Sequence, residues 1–241
     1  MIDGKKIGVV LPAAGAGKRM GGARAKQYLE LEGKPILART VERFDSSPEV
    51  DEIVLAVGEG EREAVAELLR PYAFSKIRAI VVGGKERQDS VWNALGECHG
   101  DIVLVHDAIR PFVSHALISA VISAALRTGA AIAAVPPKET IKMGDGAGSV
   151  LSTPDRSLLW VAQTPQGFAR PLLVEAFQQA QKEGFYGTDD ASLVERLGVK
   201  VVLVEGNYDN IKLTTPEDLD IAARILARYA GGDDAGRHLV F

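Results

Sequence analysis

Short apolar runs recur along the chain, and longer amphipathic stretches separate them. The runs cover residues 7–11, 52–57, 77–82, 102–106, 130–135 and 200–204. Most of them are nearly continuous Val, Ile, Leu and Ala, which is typical of strands that are covered on both faces. The alternation predicts an α/β fold with a doubly wound, mostly parallel, Rossmann-like sheet. Ligands of such sheets bind at the carboxyl ends of the strands.

Two of the intervening stretches show clear helix signals. Leu117, Val121, Ile122, Ala125 and Leu126 repeat at helical spacing. The last helix is expected to have Thr215 as its N-cap and Pro216 at its first position, and to end at Gly231 and Gly232.

The section at residues 137–160 interrupts this alternation. It has no helical pattern, several glycines punctuate it, and a short strand-like piece lies at residues 150–152. We predict one domain over residues 1–241, from which residues 137–160 protrude as an extended β-hairpin arm. Apolar Leu158, Leu159 and Trp160 favour packing of this arm against a second subunit.

Composition excludes several classes of protein. Apolar residues make up 46% of the chain, which supports a real core, and a net charge of -4 argues against a general nucleic-acid binder. The single cysteine, Cys98, permits no intrachain disulfide and is interpreted as a core residue. No apolar run is long enough to span a bilayer, and the start of the chain lacks a signal-peptide pattern. We therefore expect a cytoplasmic protein without a membrane partner.

The loop after the first predicted strand, PAAGAGKRMGG, resembles several phosphate-binding loops in outline. As a P-loop it fails, because Pro12 replaces the first glycine and Arg19 replaces the Ser or Thr that binds magnesium. As a GxGxxG dinucleotide fingerprint it has Met20 in place of the third glycine. A tight turn without a ligand explains the glycines but leaves the cations unexplained.

Polar and basic residues follow most of the predicted strands, and residues 163–166, interpreted as a loop after the arm, add to them. Glycines, hydroxyls, an early carboxylate, Lys and Arg thus gather at one edge of the sheet, as expected of a site for a polyanion and a metal. The sequence lacks HExxH and Gly-x-Ser-x-Gly. Nucleotidyl transfer to a phosphate needs neither, since the attacking oxygen is already an anion and the main obstacle is charge repulsion.

Seven motifs lie in the order expected of one family. They are Pro12-Ala13-Ala14-Gly15-x-Gly17-x-Arg19-Met20, Lys26-Gln27-Tyr28, Gly83-Gly84-x-x-Arg87-x-x-Ser90-Val91, His106-Asp107-Ala108-x-Arg110-Pro111, Thr164-Pro165-Gln166, Thr188-Asp189-Asp190 and Asp209-Asn210-Ile211-Lys212. Together they resemble the 2-C-methyl-D-erythritol 4-phosphate cytidylyltransferases of the non-mevalonate isoprenoid pathway. The likeness runs from about residue 5 to residue 230. It implies a fold of the nucleotide-diphospho-sugar transferase type.

The resemblance also implies a reaction and a set of residue roles. CTP and methylerythritol phosphate would give CDP-methylerythritol and pyrophosphate, with Mg²⁺ as cofactor. The implied roles are catalysis by Arg19, Lys26, Arg156 and Lys212, CTP binding by Ala13, Ala14, Gly15, Gly83 and Ser90, and substrate binding by Asp107, Arg110, Thr164 and Thr188. Asp107 is also the implied metal ligand. The arm would embrace a second subunit in a homodimer, so that Arg156 serves the neighbour's site.

Several alternatives stay open on sequence alone. Thr188 is an equally good N-cap for the helix that follows it, and Arg87 is interpreted as a structural, loop-ordering residue. The same cytidine loops suit a ribitol-5-phosphate cytidylyltransferase. A non-catalytic nucleotide-binding regulator and a Rossmann dehydrogenase are weaker alternatives; the regulator would not need Arg19, Lys26 and Lys212.

Overall fold

The computed structural model describes residues 2, 4–15 and 26–230, except for the side chains of Lys26 and Ala230. Its strands are β1 (Ile7–Ala13), β2 (Glu30–Leu31), β3 (Lys34–Pro35), β4 (Glu52–Val57), β5 (Ile77–Val82), β6 (Ile102–Val105), β7 (Ala130–Val135), β8 (Met143–Gly144), β9 (Val150–Ser152), β10 (Val161–Ala169) and β11 (Val202–Glu205). The α-helices are α1 (Ile36–Asp45), α2 (Arg62–Leu69), α3 (Arg87–Glu97), α4 (His115–Thr128), α5 (Arg170–Glu183), α6 (Asp190–Arg196) and α7 (Pro216–Ala230). The six apolar runs predicted as strands all coincide with β1, β4, β5, β6, β7 or β11, to within two residues at each end.

Seven strands form one sheet in the order β11-β7-β10-β6-β1-β4-β5. The pairs β6/β1, β1/β4, β4/β5 and β7/β11 are parallel. Strand β10 is antiparallel to both of its neighbours, β6 and β7. The prediction of a doubly wound, mostly parallel sheet is therefore confirmed, with one antiparallel strand near its middle.

Helices cover both faces of the sheet. On one face α1, α2 and α4 pack against alternate residues of the strands, such as Val9 and Leu55. On the other face α3, α5 and α6 pack against the intervening residues, such as Val10 and Val54. Central strands buried on both faces need apolar residues at every position, which is why they appear in the sequence as continuous runs.

Local signals define the helix ends. The Ser114 hydroxyl accepts a hydrogen bond from the Leu117 N–H at the start of α4, and Gly129 ends that helix in the left-handed conformation, with φ 83°. Helix α7 begins at Pro216, as predicted, and Asp218 Oδ2 accepts from the Thr215 N–H at 2.8 Å. The predicted end of α7 at Gly231 lies outside the described residues. No helix of the described part of the chain is long and apolar enough to cross a bilayer.

The interpretation of residues 163–166 as a loop was wrong. They lie inside β10, and all four side chains are buried. Pro165 has no N–H to donate, and the pairing of β10 with β7 is interrupted by a bulge between Ala162 and Gln166. This stretch is polar and contains a proline, so it lacks the sequence pattern of a buried strand. It is nevertheless buried, because strands β6 and β7 flank it on both sides.

The arm has the shape expected of a hairpin. Strands β8 and β9 pair only with each other, in antiparallel orientation, and their residues are all exposed. Its base is held by Tyr208, whose hydroxyl donates to the Pro136 carbonyl at 2.8 Å and whose ring lies 4.1 Å from the Lys138 ammonium. Strands β8 and β9 thus form a small hairpin apart from the main sheet, and the segment is held at its base.

Candidate active site

One carboxylate at the carboxyl end of β6 gathers three cations. Asp107 Oδ2 lies 2.9 Å from Lys212 Nζ and 3.4 Å from Arg110 Nε. Its other oxygen, Oδ1, accepts a hydrogen bond from Arg87 Nε at 3.1 Å. The Asp107 side chain is only 9% exposed, so these contacts take up most of its surface. Asp107 therefore brings Arg110 of its own loop together with two cations from distant segments, Arg87 and Lys212.

The electrostatics of this cluster favour an anionic ligand. Burial raises the pKa of Asp107, but attraction to Arg87, Lys212 and Arg110 outweighs it and holds the pKa well below the usual range. With Asp190, which pairs with Arg87, two carboxylates face three cations. The positive excess suits the phosphates of a ligand, while the carboxylate keeps the cations in place before the ligand arrives.

Arg87 joins this cluster to the start of α6. Its Nη1 lies 2.8 Å from Asp190 Oδ2, while its Nε contacts Asp107. Burial lowers the pKa of Arg87, yet the two carboxylates more than compensate and raise it above its ordinary value. Arg87 therefore ties the end of β6 to the first residue of α6. Its interpretation as a structural, loop-ordering residue stays a prediction.

Three close-packed segments form the wall beside the cluster. At the end of β1, Ala14 faces Gly83, where an added Cβ would lie 2.5 Å from Ala14 Cβ and 2.7 Å from Ser90 Oγ. The Ser90 hydroxyl donates to the Glu86 carbonyl at 3.0 Å and accepts from the Gly84 N–H at 3.1 Å. Glycine at position 83 thus allows the loops after β1 and β5 to approach closely.

A cavity of about 250 Å³ brings six of the predicted site residues together, which are Ala13, Ala14, Gly15, Ser90, Asp107 and Lys212. Its lining consists of Pro12, Ala13, Ala14, Gly15, Gln27, Gly84, Lys85, Glu86, Arg87, Ser90, Asp107, Ala108, Ile109 and Lys212. Its lining thus combines small residues of the segment that follows β1 with three members of the Asp107 cluster, Arg87, Asp107 and Lys212. This arrangement matches a nucleotide site in which backbone groups hold the base and cations hold the phosphates.

Thr188 lies on a neighbouring cavity of about 480 Å³. Lys85, Glu86 and Arg87 line both cavities. Thr188 is exposed, and the N-cap of α6 is Asp189, whose side chain accepts from the Ser192 N–H. The alternative that Thr188 caps this helix was therefore wrong, and its hydroxyl does not serve as the cap of α6.

Arg110 and Thr164 form hydrogen bonds that fix the backbone around Asp107. Arg110 Nη1 donates to the Asn210 carbonyl at 2.8 Å, and Thr164 Oγ1 accepts from the Asp107 N–H at 3.1 Å. Both side chains are buried. Contact of either side chain with a substrate stays a prediction.

Arg156 lies apart from the Asp107 cluster within one chain. It stands at the base of the arm, where its Nη1 donates to the Lys138 carbonyl at 2.9 Å. A separate open cavity of about 580 Å³ lies there, lined by Pro136, Pro137, Lys138, Asp155, Arg156 and Ser157. Its predicted role in a neighbouring subunit's site stays a prediction.

The two remaining predicted catalytic residues are described only in part. Arg19 lies outside the described residues, and for Lys26 the structure gives the backbone alone. Lys26 begins a short 3₁₀ helix, Lys26–Tyr28. In that turn the buried Gln27 side chain donates to the Ala13 carbonyl at 2.5 Å, which ties the turn to the end of β1.

The prediction that Asp107 binds a metal ion is at odds with the contacts of its carboxylate. Both of its oxygens already contact cations, as given above, and within the described ranges no group of three or more His, Cys, Asp or Glu side chains can hold a metal ion. These residues do not fit a metal held by the protein alone. Mg²⁺ commonly keeps several waters and binds substrate phosphates, with one or two carboxylates at most.

The sequence prediction missed several buried amides that connect the motifs. Gln166 donates to Asp189 Oδ2 at 2.8 Å and accepts from the Ala191 N–H at 3.1 Å. Asn210 donates to the Thr164 carbonyl at 2.8 Å. The quoted motifs contain all three amide residues, Gln27, Gln166 and Asn210. The motifs therefore gave their positions in the sequence but not their hydrogen-bonding roles.

A model of one protein family matches residues 7–228 of the chain, and its description is 2-C-methyl-D-erythritol 4-phosphate cytidylyltransferase. The chain belongs to this family. A relative of that name from Symbiobacterium thermophilum is 50% identical over 226 residues, covering 93% of this chain and 94% of the relative. Another, from Syntrophus aciditrophicus, is 46% identical over 230 residues, covering 94% and 98%.

Solved structures of the family share the fold. A 4-diphosphocytidyl-2C-methyl-D-erythritol synthase from Anaerococcus prevotii is 33% identical with a TM-score of 0.83, covering 94% of this chain and 100% of that one. The 2-C-methyl-D-erythritol 4-phosphate cytidylyltransferase from Thermus thermophilus is 34% identical with a TM-score of 0.77, covering 92% and 99%. The dehydrogenase and regulator alternatives are not favoured by these matches.

Proposed function

We propose that the chain is a nucleotidyltransferase that joins CTP and 2-C-methyl-D-erythritol 4-phosphate, giving CDP-methylerythritol and pyrophosphate. The family match names this activity for its relatives. The observation that carries the proposal from the structure is the Asp107 cluster at the rim of a cavity built from the ends of β1, β5 and β6. The alternative acceptor, ribitol 5-phosphate, has no comparable support.

The reaction is a single displacement at phosphorus. An oxygen of the acceptor phosphate forms a bond to the α-phosphorus of CTP while the bond from that phosphorus to the oxygen bridging to the β-phosphorus breaks. The bond's electron pair leaves with pyrophosphate, and no proton needs to move, since the attacking oxygen is ionised at neutral pH. Positioning and charge stabilisation then account for most of the catalysis.

Lys212 is the residue we assign to the attacking phosphate. Its ammonium is half-buried at the edge of the cavity and is held 2.9 Å from Asp107 Oδ2. Arg19 and Lys26 are assigned to the triphosphate, because both belong to the segments that follow β1. Their cationic groups would offset the charge that builds up at the α-phosphorus and on the leaving pyrophosphate.

The cytosine base of CTP is assigned to the part of the cavity that small residues line. Ala13, Ala14 and Gly15 offer backbone groups there, with Gly83 and Ser90 on the facing loop. A space of about 250 Å³ with close walls favours a pyrimidine over a purine.

Mg²⁺ is assigned to the nucleotide substrate rather than to a protein cage. When it is bound to the triphosphate, it withdraws charge from the phosphates and orients them. This assignment follows from the crowded state of Asp107 and from the absence of a ligand cluster within the described residues.

A homodimer is proposed from the surface of the arm. Leu158 is 78% exposed and Trp160 is 40% exposed, and Ile141, Met143, Val150 and Leu151 are exposed as well. Apolar side chains concentrated on one protrusion favour burial against a second copy. Arg156 would then enter the neighbour's site. The cytoplasm, predicted from the cysteine content, is the compartment in which we place this reaction.

Pyrophosphate release from purified protein, with CTP and Mg²⁺, tests the function. We expect turnover with 2-C-methyl-D-erythritol 4-phosphate, at least about tenfold lower kcat/KM with ribitol 5-phosphate, and little turnover with ATP or GTP. Equal or faster turnover of ribitol 5-phosphate would overturn the choice of acceptor. No pyrophosphate with either acceptor would overturn the assignment as an enzyme of this reaction.

Mixing two inactive variants tests the shared site. If Arg156 serves the neighbour, an Arg156→Ala protomer and a Lys212→Ala protomer should together form one intact site per heterodimer. Co-expressed variants should then recover up to about a quarter of wild-type activity, the value for random pairing of equal amounts with half-active heterodimers. Arg70→Ala, an exposed arginine paired only with a neighbouring glutamate, is the matched control and should remain active alone.

A further inference from the structure

A fully buried histidine lies directly before Asp107. His106 has no exposed surface, and its ring packs against the Phe44 ring edge-on, with centroids 4.8 Å apart. Both ring nitrogens nevertheless have polar partners, Thr164 Oγ1 at 3.0 Å from Nδ1 and the Arg110 carbonyl at 3.0 Å from Nε2. None of the roles assigned above uses this residue.

The partners determine which nitrogen carries the proton. The Arg110 carbonyl can only accept, so Nε2 must be the protonated nitrogen and the donor. In the neutral ring Nδ1 is then an acceptor, and the Thr164 hydroxyl donates to it. Burial lowers the pKa of His106 to about 4, against the opposing effects of the Arg110 carbonyl and Asp107, so the neutral ring persists at physiological pH.

The Thr164 hydroxyl passes this orientation on to Asp107. With its proton directed to His106, its oxygen presents lone pairs to the Asp107 N–H, which donates to it at 3.1 Å. The same imidazole holds the Arg110 carbonyl, three residues beyond Asp107. One ring therefore constrains the backbone on both sides of the carboxylate that positions Lys212.

We propose that His106 is a positioning residue for the cytidylyl transfer, which sets the Asp107 carboxylate, and through it the Lys212 ammonium, by accepting a hydrogen bond from the Thr164 hydroxyl. Its bond to the Arg110 carbonyl fixes the tautomer that makes this acceptance possible. The proposal rests on the proposed function. His106 does not act as an acid or base, since its two nitrogens are occupied and no surface of the ring is exposed.

Two amide substitutions separate the two hydrogen bonds. In His106→Asn the side-chain oxygen can occupy the region of Nδ1 and accept from Thr164, whereas in His106→Gln the longer side chain can reach the Arg110 carbonyl but leaves the Thr164 hydroxyl without its acceptor. Loss of one buried hydrogen bond corresponds to about a tenfold effect. We expect His106→Gln to lower kcat/KM for the polyol phosphate about tenfold and His106→Asn to lower it less than about threefold.

The distribution of the effect distinguishes positioning from stability. For His106→Gln we expect the change in kcat and in KM for the polyol phosphate, with KM for CTP within about twofold of wild type, because the base contacts lie on other loops. Both amide variants should lower Tm to a similar extent. His115→Gln, at another histidine with hydrogen-bonded ring nitrogen, is the matched control and should affect Tm but no kinetic constant.

A double substitution tests the route through Thr164. If His106 acts through that hydroxyl, Thr164→Val with His106→Gln should be no worse than Thr164→Val alone. Additive losses would overturn the proposal, as would full activity of His106→Gln. Equal losses in the Asn and Gln variants, in proportion to Tm, would show a merely structural histidine.

Nuclear magnetic resonance gives a readout that does not depend on the activity. In protein with ¹⁵N-labelled histidine, His106 should show the Nε2–H tautomer, unchanged from pH 8 to about pH 5. The Asp107 amide resonance should move in both variants, because each removes the neighbouring ring, and it should move farther in His106→Gln than in His106→Asn. An Nδ1–H tautomer would overturn the positioning proposal, whichever acceptor the wild-type enzyme uses. An inactive wild type that shows the expected resonances would count against the proposed function alone.

Discussion

The ammonium of Lys212 lies 2.9 Å from the Asp107 carboxylate, and the same carboxylate contacts Arg87 and Arg110. A buried carboxylate that is surrounded by cations stabilises the fold most when it is ionised. Without it, the cations repel one another. Asp107 is therefore the residue on which both the stability and the charge balance of the site depend.

Asp107→Asn should weaken both folding and catalysis. The amide is the same size but cannot balance Arg87, Arg110 and Lys212, so we expect unfolding free energy to fall by roughly 2 kcal/mol and kcat/KM to fall more than about tenfold. Urea unfolding and pyrophosphate release measure the two effects. Asp220→Asn, an exposed residue of α7, should change neither. A fully active Asp107→Asn would contradict this role.

The same substitution should change the acid stability. The cations hold the folded pKa of Asp107 below its unfolded value, so its contribution is fully present above that unfolded value, near pH 4, and is lost as the pH falls through the folded pKa. Urea midpoints of wild type and Asp107→Asn should therefore differ most at pH 6, and the difference should shrink progressively as the pH falls below about 4. A constant difference between the two proteins across this range would refute the assignment of the ion cluster.

His106 should contribute a separate acid transition. Its folded pKa of about 4 lies below its unfolded value of about 6.5, so the unfolded chain binds the extra proton first. Stability from this residue is present above about pH 6.5 and decreases as the pH falls to about 4, by an amount on the order of 3 kcal/mol. His106→Asn should flatten the dependence of unfolding free energy on pH in that window. An unchanged slope would count against a neutral, buried ring.

Gly83→Ala should impair nucleotide binding. An added Cβ would lie 2.5 Å from Ala14 Cβ, on the opposing loop of the cavity, so one loop must move. We expect KM for CTP to rise more than about tenfold, a cost typical of forcing a methyl group into a close contact. Gly96→Ala is the matched control, because a Cβ there meets nothing within 4 Å and the position lies inside α3. Unchanged KM in Gly83→Ala would show that this contact is irrelevant to CTP.

Leu158→Glu should weaken self-association. A charge at a side chain that is 78% exposed on the arm costs nothing in the isolated chain but opposes burial against a second copy. Light scattering after size-exclusion chromatography should show a dimer for wild type and a shift towards monomer for the variant. Ile221→Glu, at an exposed apolar residue of α7, should leave the mass unchanged. A wild-type monomer at micromolar concentration would refute the dimer.

The sequence by itself was sufficient for the alternating strands and helices and for the family. Continuous apolar runs such as residues 53–57 mark strands buried on both faces, because every side chain of such a strand meets a helix layer. These signals are local in the sequence. The order of the motifs can likewise be read directly along the chain.

Only the tertiary structure decided the place of β10 and the contacts within the site. Its polar residues 163–166 are buried by two flanking strands, and no local pattern announces this. Likewise Thr164 lies 57 residues from Asp107 along the chain, yet their hydrogen bond lies at the centre of the site. Hydrogen bonds and ion pairs depend on distances of a few ångströms between segments, and a sequence pattern carries the spacing along the chain but not the distance across the fold.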